Sequence, residues 1–312
     1  MPYNDVIDRV GAAGEIPEQI AEVIVGDVET ESTALTLGRR VPTTTRDSRI
    51  PVLSTAPDAY FVTGDDGLKQ TTAATFDNEP LVAEEIAVIL TIPDSVIADS
   101  EFGLWDATRP LVARAFARRL DRAVIFGDGK PASWPAGMVP AAVAAGNVVQ
   151  QAGDTGPSDP VVDLLGAAQL VAEAEYNPTA AAVGTGWQYR AAASRSDAFS
   201  ASPVGAGQPF PLSVAGLPIK TNPVYWDATA ADIVVADWRN VLIGVRQDLA
   251  FEFSNSAVIT DEDGAVVHNM WQRDSTSMRA VMRIGYHLAQ PAAQSGEAGV
   301  PVAVVAPSSS QS

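Results

Sequence analysis

Two histidines, no cysteine and 38 acidic side chains bound the chemistry open to this chain of 312 residues. A Ser-His-Asp hydrolase would need His268 or His287 beside an activated serine. No Gly-x-Ser-x-Gly elbow is present to supply one. His287 falls in an alternating strand pattern, where a half-exposed sheet histidine is the ordinary case. With two histidines, no thiolate and no HExxH pattern, the residues for a zinc site are lacking. Asp261-Glu262-Asp263-Gly264 has the start of a calcium loop but not its later ligands or closing glutamate, and fits a hairpin turn better. Gly127-Asp128-Gly129-Lys130 is followed by Pro131 and misses the phosphate-loop spacing, and Gly184-Thr185-Gly186 has no third glycine. No carboxylate pair stands in an apolar setting that would split two pKa values into an acid and a base. The expectation is therefore no catalytic residue, no metal and no cofactor.

One cationic pattern stands out. Arg114, Arg118 and Arg122 recur every fourth residue on one side of a helical segment. A nucleic-acid face would need more basic neighbours and stacking aromatics. A solvated or inter-subunit face needs only acidic partners, which the chain has in excess and which favours that second reading. The formal charge is -18, from 20 Lys+Arg against 38 Asp+Glu. Taken whole, such a chain does not grip phosphates. The charge serves solubility and guards against premature association; if nucleic acid is met at all, it is enclosed or repelled.

Composition sets the frame for these groups. The chain is 46% hydrophobic, with the apolar residues in periodic segments, as a folded core requires. No apolar run approaches the ~20 residues of a membrane span, and no signal peptide is visible at Met1-Pro2-Tyr3-Asn4-Asp5. Absent cysteine fits a cytosolic origin.

The element order is distinctive. Glu15 to Gly26 reads as a short amphipathic helix, with Pro17 in its first turn and Ile16, Ile20, Val23 and Ile24 on one face. A weaker helical turn runs from Glu29 to Leu37 and stops at Gly38, and residues 1–48 together read as an arm. Residues 49–93 read as one long hairpin. Its outgoing arm is Arg49 to Val62, its polar tip runs from Gly64 to Asn78, and its return arm places Val82, Glu84, Ile86, Val88, Leu90 and Ile92 on one face. A two-stranded hairpin is marginal in water and leans on something else, most economically on another copy of the chain. A long helix follows over 102–126, with Leu111 and Ala115 among its apolar positions and a kink or restart at Pro110. Residues 130–239 form an α+β unit of short elements, including a helix capped by Asp159 with Pro160 at its first position. Long alternating strands occupy 240–290, and residues 291–312 read as a tail.

Several segments carry a family resemblance. Arg49-Ile50-Pro51-Val52-Leu53, Ala59-Tyr60-Phe61-Val62 and Gly64-Asp65-Asp66-Gly67-Leu68-Lys69 resemble the extended loop of tailed-bacteriophage major capsid proteins. Ala83-Glu84-Glu85-Ile86-Ala87-Val88 resembles its return arm. Phe126-Gly127 with Lys130-Pro131-Ala132-Ser133-Trp134-Pro135 resembles the exit of that family's spine helix. No single motif is diagnostic; the combination and its order, from about residue 15 to 288, carry the likeness.

The resemblance implies an α+β Hong Kong 97 capsid fold. Its parts would be an N-terminal arm (1–48), an extended hairpin loop (49–93), a peripheral domain with the spine helix (94–129 and 240–290), an axial domain (130–239) and a C-terminal tail (291–312). It implies a structural virion protein, not an enzyme. Copies would self-assemble as hexamers and pentamers into an icosahedral shell around double-stranded DNA, in the host bacterial cytoplasm and without a membrane. An encapsulin-like cellular compartment shares the fold and is the close alternative; a hydrolase is a remote one. The residues expected at contacts between copies are Arg49, Asp65, Asp66, Lys69, Glu84, Glu85, Arg114 and Arg118. Some members join a loop lysine to an asparagine of a neighbour, which here would pair Lys69 with Asn255 or Asn269. Partners implied by the family are a separate scaffolding protein, since the arm begins almost at once, a portal, and decoration proteins.

Overall fold

The computed structural model describes residues 28, 30–57, 59–62, 69, 71–99, 104–151, 159–194, 213–261, 263–292 and 299–307. The helix expected over 15–26 and the Gly64–Gly67 tip lie outside these residues. In chain order the elements are α1 (Thr33–Leu37), β1 (Arg39–Pro42), β2 (Asp47–Thr55), β3 (Thr75–Pro93), α2 (Asp94–Asp99), α3 (Leu104–Ile125), α4 (Met138–Ala145) and β4 (Val148–Gln150). They continue with α5 (Pro160–Glu173), β5 (Ala180–Gly184), α6 (Trp187–Ser194), β6 (Ser213–Val214), β7 (Leu217–Asn222), β8 (Ile233–Ala236) and β9 (Val241–Ser254). The last are β10 (Val258–Thr260), β11 (Val266–Asn269), β12 (Ser275–Leu288) and β13 (Val302–Ala306).

Two sheets organise the molecule. One has the order β1-β9-β12-β3-β2, the other β4-β13-β8-β5-β7-β6; β10 and β11 form a separate hairpin. In the first sheet the alternation of β12 is realised directly. Met278, Ala280, Met282, Ile284, Tyr286 and Leu288 are buried, and they meet the apolar face of α3. That face is Val112, Ala113, Phe116, Ala117, Leu120, Ala123 and Val124, a continuous stripe at helical spacing.

Five expectations are corrected. First, the hairpin is not two-stranded throughout. β3 is 19 residues long and changes partner midway: residues 75–82 pair with β2, and residues 83–93 pair with β12. Thus β12 is the third strand that the proximal half required. Second, Phe76, Asp77 and Asn78 are paired strand opposite Leu53, Val52 and Pro51, so the unpaired tip is shorter than the polar composition suggested. Third, residues 302–306 are not a tail. β13 lies inside the second sheet, antiparallel to β8 and parallel to β4, with Val302 to Val305 fully buried. A strand buried on both faces has no alternation to betray it. Fourth, the helix does not restart at Pro110, since α3 runs from 104 to 125 with Pro110 inside it. Fifth, Leu111 is 62% exposed and Ala115 is also exposed, while Ala113 and Ala117 are buried.

In the second sheet, α5 begins as its sequence dictates. The Asp159 side chain accepts from Val161 N at 3.0 Å, and Pro160 takes the first position. Its buried face is Val161, Leu164, Ala167 and Val171, with Leu165 turned outward.

Candidate assembly surface

The surface available to partners is set by what the core holds still. Asp121, on α3, is fully buried and receives four hydrogen bonds. Its Oδ1 accepts from Ser32 Oγ at 2.7 Å and Ala34 N at 3.0 Å, and its Oδ2 accepts from Thr33 N at 2.9 Å and Asn222 Nδ2 at 2.7 Å. Burial pushes the carboxyl above its ordinary pKa, and the four donors oppose that. Since every partner is a donor, the site is built for the ionised form. Asp121 thereby joins the N-terminal segment, the long helix and the end of β7. The segment around residues 28–43 is thus docked in the core and is no loose arm; Val28, Ala34 and Leu35 are buried with it. Sequence reasoning passed over this aspartate, because nothing near it in the chain announces its partners.

A second set of contacts fixes the hairpin to the body. Glu84 accepts from Ser133 Oγ at 2.8 Å and from Arg46 Nη2 at 3.1 Å, and these hold its carboxyl below the usual range. Trp134 Nε1 donates to Val82 O at 3.0 Å, and its ring meets Tyr286 edge-on at 5.8 Å. His287, on β12, pairs with Glu79 of the hairpin. Leu53 O accepts from Ala292 N at 2.8 Å, and Val52 packs with Leu242 and Ala289. Beyond this footing the hairpin presents Tyr60, Phe61 and Val62 to solvent; Phe61 is completely exposed at 101%.

The expected contact residues divide accordingly. Arg49 and Lys69 are exposed. Glu84 and Glu85 are already engaged within the subunit, Glu85 with Arg283 at 3.1 Å. Asp65 and Asp66 lie outside the described residues. Asn255 is exposed, while Asn269 is half-buried and its Oδ1 accepts from Gln272 N at 3.3 Å. Arg114 and Arg118 stand on the exposed side of α3 with Arg119 and Arg122. Arg114 lies 3.6 Å from Glu31, and Arg122 pairs with Asp128. The Arg118 and Arg122 guanidinium groups sit 5.7 and 5.6 Å from the Tyr225 ring.

The two histidines do not assemble a hydrolytic site. His268 Nε2 is 2.8 Å from Ser275 Oγ, which superficially suggests a dyad. However, Arg273 Nη1 lies 3.2 Å from His268 Nδ1, and an arginine only donates. Nδ1 is then the acceptor and Nε2 carries the proton toward Ser275, whose own hydroxyl donates to Met270 Sδ at 3.3 Å. A protonated Nε2 has no lone pair with which to activate that serine. Ser275 is also buried. Among the described residues, no cluster of three or more metal-ligating side chains occurs. No helix is long and apolar enough to cross a membrane among them.

This chain, with its fixed core and projecting hairpin, matches a known family across most of its length. The family model described as the phage capsid family covers residues 13–294. The chain belongs to the phage capsid family. It is 22% identical over 289 residues to the major capsid protein of Staphylococcus phage 80alpha, covering 88% of this chain and 82% of that protein. Among solved structures it is similar to a chain of Mycobacterium phage Cain, with a TM-score of 0.75 and 33% identity over 90% of this chain and 91% of that one. A chain of Microbacterium phage Oxtober96 gives a TM-score of 0.73 and 32% identity, over 89% and 91% of the respective chains. The fold of this phage capsid protein is thus the Hong Kong 97 type, mixed in helix and strand. As a member of a structural family it assembles with copies of itself into a virion shell, and the encapsulin alternative is not favoured by these likenesses.

Proposed function

We infer that copies of this phage capsid protein close an icosahedral head shell, as hexamers and pentamers, around the double-stranded DNA of a tailed bacteriophage. The observation that carries this reading is the hairpin. Its proximal half is a strand of the main sheet, whereas among the described residues β2 is the sole strand paired with its distal half, which carries exposed Tyr60, Phe61 and Val62 beyond its footing on the body. Two strands with an aromatic end are marginal in water, so the hairpin gains its remaining contacts by lying over a neighbouring copy. Many weak contacts of this kind, repeated around a closed shell, give a stable particle.

The acidic excess suits a DNA container. A chain of charge -18 repels phosphate as a whole, so DNA can be driven in and released. Assembly takes place in the host cytoplasm, with a separate scaffolding protein, a portal at one vertex and, on the outer face, decoration proteins as partners. Lys69 acts in this reading as a hydrogen-bonding or ion-pairing residue of the hairpin, not in a covalent link to Asn255 or Asn269; boiled particles therefore run as a monomer band in SDS, and a ladder of multimers would show the link instead.

Sedimentation tests the assembly directly. Purified protein co-expressed with a scaffolding protein should sediment as a megadalton particle, alongside free capsomers. Material that stays at the subunit's 32.6 kDa under all conditions would refute the reading.

A further inference from the structure

A second projecting hairpin and the arginine face of α3 carry opposite charges, and each includes a charged side chain without an ion pair among the described residues. Among the described residues β10 and β11 pair only with each other, with a register shift after Ile259. Every described residue from Thr260 to Val267 is exposed, including Val266 and Val267. The base is anchored: Met270 N donates to Ala257 O at 3.0 Å, and Met270 is fully buried. The turn is held in one shape, because Asp261 Oδ1 accepts from Asp263 N at 3.1 Å and from Ala265 N at 2.8 Å, with Gly264 at φ 82°. The result is a stiff two-stranded finger whose tip presents the Asp261 and Asp263 carboxylates, and Asp263 has no ion-pair partner among the described residues.

The complementary surface is a trough of about 560 Å³ beside α3, lined by Leu111, Arg114, Arg118, Arg119, Arg122 and Val224 among others. Four of the chain's 20 basic residues stand here within nine positions. Arginines at every fourth residue are spaced about 6 Å apart along the helix. Among the described residues Arg114 pairs with Glu31 and Arg122 with Asp128, Asp227 adds its charge near Arg122, and Arg119 donates to Gly129 O at 2.6 Å, while Arg118 has no ion pair. Elsewhere Arg46, Arg190, Arg239, Arg279 and Arg283 are each paired with an acid of their own chain. Exposed Leu111 gives the trough an apolar rim opposite the exposed valines of the finger.

We propose that the Asp261–Gly264 finger of one copy docks into the Arg114–Arg122 trough of a second copy. This rests on the shell reading above and names one of its contacts. Charge decides the partner. Two fingers meeting tip to tip would oppose carboxylate to carboxylate, so a symmetric finger–finger contact is disfavoured, while finger into trough joins opposite signs. Such a contact is heterologous, using different patches on the two copies, and propagates around a ring or shell.

Charge exchange tests it in the full chain co-expressed with scaffolding. Asp263→Arg (charge at the finger tip switched) and Arg114→Glu with Arg118→Glu (two trough charges switched) should each reduce closed shells at least tenfold by sedimentation. Both circular dichroism and the melting temperature of the capsomers should be unchanged. Combining all three substitutions in one chain should restore shells in part, because the side chain at 263 then again has the opposite charge to those at 114 and 118. Failure of the combined chain to improve on the single-surface variants would overturn the proposal, as would normal assembly of the Asp263→Arg chain. Normal shells with loss of DNA retention in the trough variant would also overturn it, in favour of a phosphate site. Wild-type shells in the same series keep the shell reading separate from this one. If the charge variants misfold, the cysteine-free chain permits Asp263→Cys with Arg118→Cys. A short bis-maleimide should then link assembled copies into a ladder that neither single-cysteine chain gives, and absence of that ladder in intact shells would overturn the docking.

Discussion

Asp121 and Asn222 stand 101 residues apart in sequence and share a buried 2.7 Å hydrogen bond. Asn222 in turn accepts from Val224 N at 2.9 Å and Tyr225 N at 3.1 Å, so the bond fixes the loop that carries Tyr225 beneath the arginines of α3. Through Ser32, Thr33 and Ala34 the same carboxylate fixes the N-terminal segment. One side chain thus holds three distant stretches in register and makes the outward face of α3 a defined surface.

Replacing Asp121 with alanine leaves four buried donors without an acceptor. We expect a loss of about 3–5 kcal/mol of subunit stability, read by urea denaturation of dissociated capsomers. Asn222→Ala should cost less, about 1–3 kcal/mol. An Asp121→Ala loss below about 1 kcal/mol would show that water replaces the carboxylate freely.

Alkaline pH should weaken the subunit through its buried tyrosines. Tyr176 donates to Pro291 O at 2.8 Å and Gly299 O at 3.0 Å, and burial pushes its hydroxyl from 10.0 up to about 12. The folded state prefers the neutral phenol, so this contribution is complete below pH 10 and is lost as pH rises toward 12. Tyr286, wholly buried, is shifted upward by the same cause. Tyr176→Phe should therefore unfold over a shallower alkaline slope than wild type. Identical slopes would exclude Tyr176 as a source of the loss.

The hairpin end should matter to assembly and not to folding. Removing residues 64–74 leaves the β2–β3 ladder, whose outermost pair is Thr55 with Thr75. The trimmed subunit should keep its melting temperature within a few degrees yet yield few closed shells. Stable shells from the trimmed chain would contradict the role given to the hairpin.

β13 should be indispensable to the subunit. Val304→Asp places a charge at a fully buried position between β4 and β8. Such burial costs several kcal/mol, comparable to the whole stability of a domain. We expect insoluble protein on expression, and a soluble, normally folded Val304→Asp chain would show the strand to be peripheral.

These tests also mark where sequence was and was not informative. β12 was legible because six alternating apolar residues face one core, and α5 because Asp159 and Pro160 announce its start. The His268–Ser275 contact and its proton direction could not be anticipated, because the two residues meet only through the turn that joins β11 to β12. β13 was hidden, since four small apolar residues buried on both faces carry no period. Asp121 was hidden for another reason: its donors come from residues 32–34 and 222, and three of the four are backbone groups or a short hydroxyl that any sequence could offer. Leu111 and Ala115 were assigned inward because periodicity gives the phase of a helix only to within one position. Phe76 to Asn78 read as a tip from their polarity, yet strands that face solvent on both sides are polar too.

Electron microscopy of the purified, co-expressed protein tests the central claim most directly. The account predicts closed icosahedral shells in which the 49–93 hairpin of each copy lies over its neighbour. A field of monodisperse subunits at high concentration, with no closed particles, would contradict it.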